Sequence, residues 1–103
     1  MIRVVFGKSN GHYRNVSITG HAQYADPGED LVCAAVSSIA FGMLNALDEM
    51  VAGTDCTAEN NEITAFINQP DDRSDIIMKT VLIQLKTIED SYNEFVEIKT
   101  LEV

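Results

Sequence analysis

The dipeptide Asn10-Gly11 constrains the fold most, because it lies between two stretches suited to β-strands. Residues 2–8 are rich in β-branched and aromatic side chains, and residues 12–19 alternate polar side chains with Val16 and Ile18. A two-residue type I′ turn needs positive φ at both central positions, and asparagine followed by glycine adopts it readily. The chain is therefore predicted to begin with a β-hairpin.

Two helices are predicted further along the chain. Asp30 precedes a long run of apolar and small residues, which makes it the predicted N-cap of a helix that ends near Val51. The pair Asp71-Asp72 opens a second predicted helix over 72–91, where acidic side chains match the positive end of the helix dipole. The apolar residues of this second helix recur at intervals of three and four and form one stripe: Ile77, Val81, Leu85, Ile88 and Tyr92.

Three short strands complete the pattern. Residues 55–59 and 62–68 flank Asn60-Asn61, a predicted turn because asparagine tolerates the left-handed conformation, and a last strand is predicted over 95–101. The order ββαββαβ predicts an α+β fold, with a mostly antiparallel sheet covered by two helices. No repeat or linker divides the chain, so residues 1–103 are predicted to form a single domain.

Charge restricts the class of partner. Sixteen acidic residues against seven basic ones give a net charge of −9, and the basic residues are scattered. Binding to phosphate backbones needs clustered positive charge, so direct nucleic-acid binding is not expected. The acidic surface favours encounter with a basic protein or peptide.

The sequence also indicates a location. The N-terminus resembles a strand rather than a secretion signal, which predicts a cytoplasmic protein. The apolar stretch Leu31 to Leu47 is interrupted by two serines and an asparagine, and it is expected to fall short of a membrane span. Two cysteines do not make a disulfide scaffold, so both are expected to be free thiols.

His21 and Cys33 are the candidate reactive pair. His21 ends the second strand, and Cys33 is the third residue of the first helix if Asp30 is the N-cap. Unpaired amides at a helix N-terminus stabilise a thiolate, and a nearby imidazole can act as its base or as a cation paired with it. In the competing interpretation, Cys33 is a small core residue. Asp30 either caps the helix or orients the ring of His21.

Other candidate groups are interpreted as structural. His12 beside the hairpin turn is expected to be exposed, Cys56 is expected to be packed, and the acidic start of the second helix is expected to be solvated. No Cys or His spacing typical of a zinc site occurs, and neither does a P-loop or dinucleotide fingerprint. No metal or cofactor is therefore expected.

The segments Gly20-His21-Ala22 and Gly28-Glu29-Asp30-Leu31-Val32-Cys33-Ala34-Ala35-Val36-Ser37 resemble the motif of the Prp family of ribosomal-processing cysteine proteases. The resemblance extends to length, element order and acidic charge. It implies a homodimeric enzyme that removes the N-terminal extension of a large-subunit ribosomal protein. Cleavage in the family follows a hydrophobic motif that contains phenylalanine.

The resemblance also implies roles for individual residues. Cys33 is the nucleophile and His21 the general base and acid of a thioester mechanism, and Asp30 matches the motif aspartate. Ser37, one turn after Cys33, either supports the reaction or bonds back to its own helix. First-turn amides around Cys33 and Ala34 are expected to bind the oxyanion, and the loop 22–29 is expected to move aside for a peptide.

Two further classes remain open on the sequence. The first is a non-catalytic, acidic α+β interaction module associated with ribosome assembly, in which the histidines and cysteines are structural. The second is an RNA-associated assembly factor, which the net charge disfavours. An exposed sheet edge that pairs with an extended peptide is compatible with the protease or the module.

Overall fold

The computed structural model describes residues 1–20 and 27–103, and its side chains resume at Leu31. The elements follow the predicted order ββαββαβ, which is confirmed. They are β1 (Ile2–Ser9), β2 (His12–Thr19), α1 (Pro27–Met50), β3 (Thr54–Glu59), β4 (Glu62–Ile67), α2 (Asp72–Ser91) and β5 (Val96–Glu102).

The five strands form one sheet in the order β3-β4-β2-β1-β5. The pairs β1–β2, β2–β4 and β3–β4 are antiparallel, and β1–β5 is parallel. The predicted mostly antiparallel sheet is therefore confirmed. Strands β3 and β5 are the edges, so each has one side without a neighbouring strand within the described sheet.

Both hairpin turns have the backbone conformation that their asparagines predict. Asn10 and Gly11 have φ of 55° and 83°, and Asn60 and Asn61 have φ of 54° and 60°. Positive φ at both central positions matches the right-handed twist of the flanking strands. These two turns set which strand residues face the core.

One face of the sheet carries the core. Buried and exposed residues alternate along β1 and β4, so one side of each strand is covered. Both helices pack on this side and share one apolar cluster with the sheet. The buried stripe of α1 consists of Val32, Val36, Ala40, Met43 and Leu47.

Helix α2 begins at its predicted residue, with a reciprocal cap. The Ser74 amide donates to Asp71 Oδ1 at 2.9 Å, and the Asp71 amide donates to Ser74 Oγ at 2.9 Å. These bonds satisfy two amides that the helix itself leaves unpaired. The stripe of α2 is rotated from its prediction, because Met78 and Leu82 are buried whereas Tyr92 is exposed.

Helix α1 begins three residues before its predicted N-cap. Pro27 is its first residue, so Asp30 is the fourth, and the prediction that Asp30 caps the helix is wrong. Proline suits the first helical position because its fixed φ is already helical and its missing amide hydrogen is not needed there. The predicted loop 22–29 shortens accordingly, since residues 27–29 belong to α1 and residues 22–26 lie outside the described residues.

Over Leu31–Met50, α1 is long and apolar enough, by length and composition, to cross a membrane. This criterion is weak evidence, because the core helix of a soluble protein meets it as well. In the fold it forms one layer against the sheet, with 28% of the stretch buried.

Gly20 ends β2 against the start of the chain. Its φ is 89°, and a Cβ built on it would overlap the backbone oxygen of Met1. A side chain here would therefore meet both an unfavourable backbone conformation and a steric clash. Gly20 immediately precedes His21, so this packing sets where the chain leaves the sheet.

Gly20→Ala should destabilise the protein more than Gly11→Ala. Gly11 also has positive φ, but a Cβ there would meet nothing within 4 Å. We expect Gly11→Ala to cost about 1 kcal/mol through its φ alone, and Gly20→Ala to cost about 3 kcal/mol because the Met1 backbone must also move. Urea denaturation of both variants measures the difference, and equal losses would contradict the role given to Met1.

Candidate active site

Cys33 lies half-buried on α1 and packs against the edge of the core. Ser37 and Phe41 follow it at intervals of four, so the three share one side of the helix. This side borders the β3–β4 hairpin, because Ser37 and Phe41 line a cavity with residues 58–63. Cys33 therefore stands at the head of a row of accessible positions rather than inside the core stripe.

The helix terminus lies further from Cys33 than the sequence predicts. Counted from Pro27, Cys33 is the seventh helical residue and not the third. Amides at this depth donate to carbonyls one turn earlier, and the dipole effect falls off within the first turn. The first-turn placement of the thiol is therefore wrong, and the expectation that amides around Cys33 and Ala34 bind an oxyanion stays a prediction without this support.

His21 lies outside the described residues, but the residues before it are placed. Thr19 pairs with Glu62, and Gly20 packs on Met1, so the chain leaves the sheet beside the β3–β4 turn. The same turn, Asn60-Asn61, faces Ser37 across the cavity. Gly20, the first residue of the motif, therefore lies near the cavity that Ser37, its last residue, lines.

A cavity of about 340 Å³ opens at this end. The wall from α1 is Ser37 and Phe41, and the opposite wall is the hairpin over residues 58–63. Ser37 is half-buried, one turn from Cys33. The side chain of Asp30 lies outside the description, so its role as an orienting group stays a prediction.

His12 is bound at the opposite end of β2. Its Nδ1 lies 2.5 Å from Asp75 Oδ2, and the Tyr13 amide donates to Asp75 Oδ1 at 2.9 Å. The expectations that His12 is an exposed loop residue and that Asp75 is merely solvated are wrong. The eight residues of β2 put about 25 Å between its ends. His12 therefore lies at the end of β2 away from the β3–β4 turn and Ser37.

Among the described residues, His12, Asp72 and Asp75 could hold a metal ion, since one ligand atom of each lies within 4.8 Å of the others. The sequence does not predict this cluster, because His12 and Asp75 are 63 residues apart in the chain. The Asp75 carboxylate already accepts bonds from His12 and Tyr13. The positive end of α2 also disfavours a cation there. The cluster serves as a polar link between the first hairpin and α2.

Cys56 is exposed on the edge strand β3, so the expectation that it is packed is wrong. Desolvation raises the pKa of the Cys56 thiol, and the nearby carboxylates of Asp48 and Asp55 raise it further. A raised pKa leaves less thiolate at neutral pH, and the thiolate is the nucleophile. Cys56 is exposed but poorly suited to attack a carbonyl.

Alkylation of Cys56 by iodoacetamide should follow this pKa. We expect its rate to rise with pH around a midpoint above about 8.5, the value of an ordinary thiol. Asp48→Asn with Asp55→Asn should move this midpoint to lower pH without restoring the ordinary value, because desolvation is the larger cause. Peptide mapping separates Cys56 from Cys33, and an unchanged midpoint in the double variant would contradict the electrostatic contribution.

The sequence matches a family model described as cysteine protease Prp over residues 1–97. The ribosomal processing cysteine protease Prp of Staphylococcus aureus is 34% identical over 88 residues, covering 82% of this chain and 83% of that protein. The protein of the same name from Mycoplasma pneumoniae is 32% identical over 84 residues, covering 82% and 84%. The Bacillus subtilis protein of that name is 29% identical over 92 residues, covering 81% of each.

Solved structures agree in fold. The ribosomal processing protease Prp from S. aureus in complex with a substrate peptide superposes with a TM-score of 0.84 at 27% identity, covering 97% of this chain and 99% of that one. A Streptococcus mutans protein superposes with a TM-score of 0.85 at 23% identity, covering 100% and 96%, which supports the fold alone. The interpretation as a non-catalytic module is thereby set aside. The chain belongs to the Prp family and is a cysteine protease.

Proposed function

We propose that this protease removes the N-terminal extension of a large-subunit ribosomal protein. The observation that carries the proposal is the position of Ser37, one helical turn after Cys33, on the wall of a cavity beside the β3–β4 turn. Thr19 pairs with Glu62 of this hairpin and precedes His21 by two residues in the sequence, whereas His12 is held by Asp75 at the other end of β2. The relatives named as ribosomal processing proteases support the choice of substrate.

Cys33 and His21 carry the chemistry. His21 takes the proton of the Cys33 thiol, and Sγ attacks the scissile carbonyl carbon to form a tetrahedral adduct. The adduct collapses as the carbon–nitrogen bond breaks, and His21 gives its proton to the leaving amine. Water deprotonated by His21 then attacks the thioester, which releases the acid product and restores the Cys33 thiol.

Asp30 and Ser37 support this pair. Asp30 precedes Cys33 by three residues, a spacing that places both positions on one helix face. We assign Asp30 as the group that orients the His21 ring, now that the helix start lies at Pro27. Ser37 stands on the cavity wall one turn after Cys33, where a hydroxyl can position the peptide.

The charge of the chain suits this substrate. Ribosomal proteins are basic, and a net charge of −9 raises the rate at which a basic protein meets the enzyme. Under this proposal the enzyme acts in the cytoplasm. We also propose that residues 1–103 form a single domain. Direct binding to RNA is not part of the proposal, because the charge has the wrong sign.

Incubation with the N-terminally extended ribosomal protein tests the assignment. We expect Cys33→Ala and His21→Ala each to lower the cleavage rate by about a thousandfold or more, since nucleophile and base act as a unit. His12→Ala is the matched control and should keep the wild-type rate within about twofold, because its effect is on stability. Mass spectrometry of the products measures cleavage.

Two results would contradict the assignment. Cleavage that persists in Cys33→Ala would remove the nucleophile from the mechanism. Equal losses in His21→Ala and His12→Ala, with both variants folded by circular dichroism, would remove the distinction between the histidines.

We also propose that the enzyme is a homodimer. The proposed interface is the surface around a cavity of about 430 Å³ between α1 and α2. Two copies that each carry −9 repel, so their contact must avoid charge. No charged side chain of the described residues lines this cavity, whose rim includes Gly42, Ala46 and Ile76. Ile76 is 69% exposed, as expected for an apolar residue that a second protomer covers in the dimer.

Ile76→Glu should convert the dimer to a monomer of 11.3 kDa in analytical ultracentrifugation. Val103→Glu is a matched control, since Val103 is 67% exposed but lies at the far end of β5. We expect the control to remain dimeric. A dimer that survives Ile76→Glu would place the interface elsewhere, and a monomeric wild type would exclude the dimer.

A further inference from the structure

A groove runs along α1 on the side of Cys33, between the helix and the β3–β4 hairpin; we call it the α1–β3 groove. Its near half is the cavity lined by Ser37, Phe41 and residues 58–63. Its far half is a cavity of about 760 Å³ lined by Leu44, Asn45, Asp48 and residues 51–57. The two halves follow one another along the same helix side and the same strand.

The groove exists because the core-facing residues of β4 are buried, whereas most of β3 is exposed. Cys56 lies opposite Ala65 in the strand pair, so both positions face the helix layer. Ala65 is buried beneath that layer, whereas Cys56 is exposed. The outer strand therefore forms an open floor that no described element fills.

Acidic residues flank both halves. Glu59 and Glu62 lie in the near half and Asp48 and Asp55 in the far half, and no lysine or arginine is among the described lining residues. Glu59 and Glu62 are also directly paired across the hairpin, a like-charge arrangement that costs stability. Desolvation is the larger cause of the raised pKa of the Cys56 thiol, and the carboxylates of Asp48 and Asp55 in the far half raise it further. A cationic occupant would relieve this repulsion.

Apolar surface lies beside the acidic groups. Phe41 is 50% exposed at the near half, and Leu44 lines the far half. Lysine and arginine combine an apolar stem with a charged head, so the stem can pack on such surface while the head reaches a carboxylate. An arginine or lysine over the Phe41 ring also gains cation–π attraction.

We propose that the α1–β3 groove binds the peptide substrate on one side of the scissile bond and selects basic residues there, through Glu59 and Glu62 near Cys33 and through Asp48 and Asp55 further away. This inference rests on the proposed function, because it needs Cys33 to be the nucleophile. The occupant is an extended basic segment of the substrate. The groove thus acts as the specificity element of the enzyme.

The length of the groove sets which substrate positions are selected. Helix rise places Ser37 about 6 Å and Phe41 about 12 Å from Cys33, and Asp48 about 22 Å away. An extended peptide advances about 3.3 Å per residue. The near half therefore contacts substrate residues about two to four positions from the scissile bond, and the far half contacts a residue about seven positions away.

A lysine scan tests these positions. Peptides built on the cleavage site of the extended ribosomal protein carry either one lysine or one norleucine at each of eight positions on either side of the bond. The readout is the ratio of kcat/KM for the lysine peptide to that for the norleucine peptide. We expect ratios of about five to ten at the near and far positions on one side only, as for partly exposed charge pairs.

Paired variants assign each ratio to its residues. Glu59→Gln with Glu62→Gln should bring the near ratio towards one, and Asp48→Asn with Asp55→Asn should do so for the far ratio. Asp72→Asn with Asp90→Asn, which removes the same charge from α2, should leave both ratios as in the wild type. Glu59→Lys with Glu62→Lys should favour a glutamate over a lysine at the near positions.

A binding measurement separates this inference from the catalytic proposal. The same peptides, labelled with a fluorophore, are titrated with Cys33→Ala protein and followed by anisotropy. Binding that prefers lysine and depends on Glu59 and Glu62 supports the groove even if the wild type cleaves nothing, and that result would overturn only the catalytic assignment. Cleavage with ratios near one, or ratios that fall equally in the α2 control, would overturn the groove.

Discussion

The burial of one stripe of α1 against the sheet determines the rest of the structure. Val36, Ala40 and Leu47 are fully buried, which fixes the rotation of the helix about its own axis. Once that rotation is set, Cys33 must face the β3–β4 hairpin and Gly42 must face α2. The positions of Cys33, the acidic groove and the apolar cavity between the helices all follow from the packing of this stripe.

The two ends of β2 differ in their polar contacts. At one end, the bonds from His12 and Tyr13 to Asp75 bind the first hairpin to α2. At the other end, Gly20 brings β2 close to Met1 and beside Glu62. His12 is thus held between the first hairpin and α2, whereas His21 is the histidine of the proposed pair with Cys33.

Most of the element order follows from local rules. Asn10-Gly11, Asn60-Asn61 and the capping pair of Asp71 with Ser74 each act within a few residues, so the sequence predicts them directly. The sequence predicts the start of α1 too late in the chain, because Asp30 and Pro27 are both acceptable helix starts on local grounds. The link from His12 to Asp75 and the exposure of Cys56 depend on elements that meet only in the folded chain.

Local sequence patterns predict the strands, the helices and the candidate pair of His21 and Cys33. Turn geometry, side-chain alternation and the spacing of these two residues are properties of short segments. Tertiary structure alone decided which histidine is bound elsewhere, how far Cys33 lies from the helix start, and which acidic residues line the α1–β3 groove. Asp48 and Glu62 are remote in the sequence and belong to one groove only because α1 and the β3–β4 hairpin lie side by side in the folded chain. Contacts of this kind depend on the relative placement of whole elements, which no local pattern encodes.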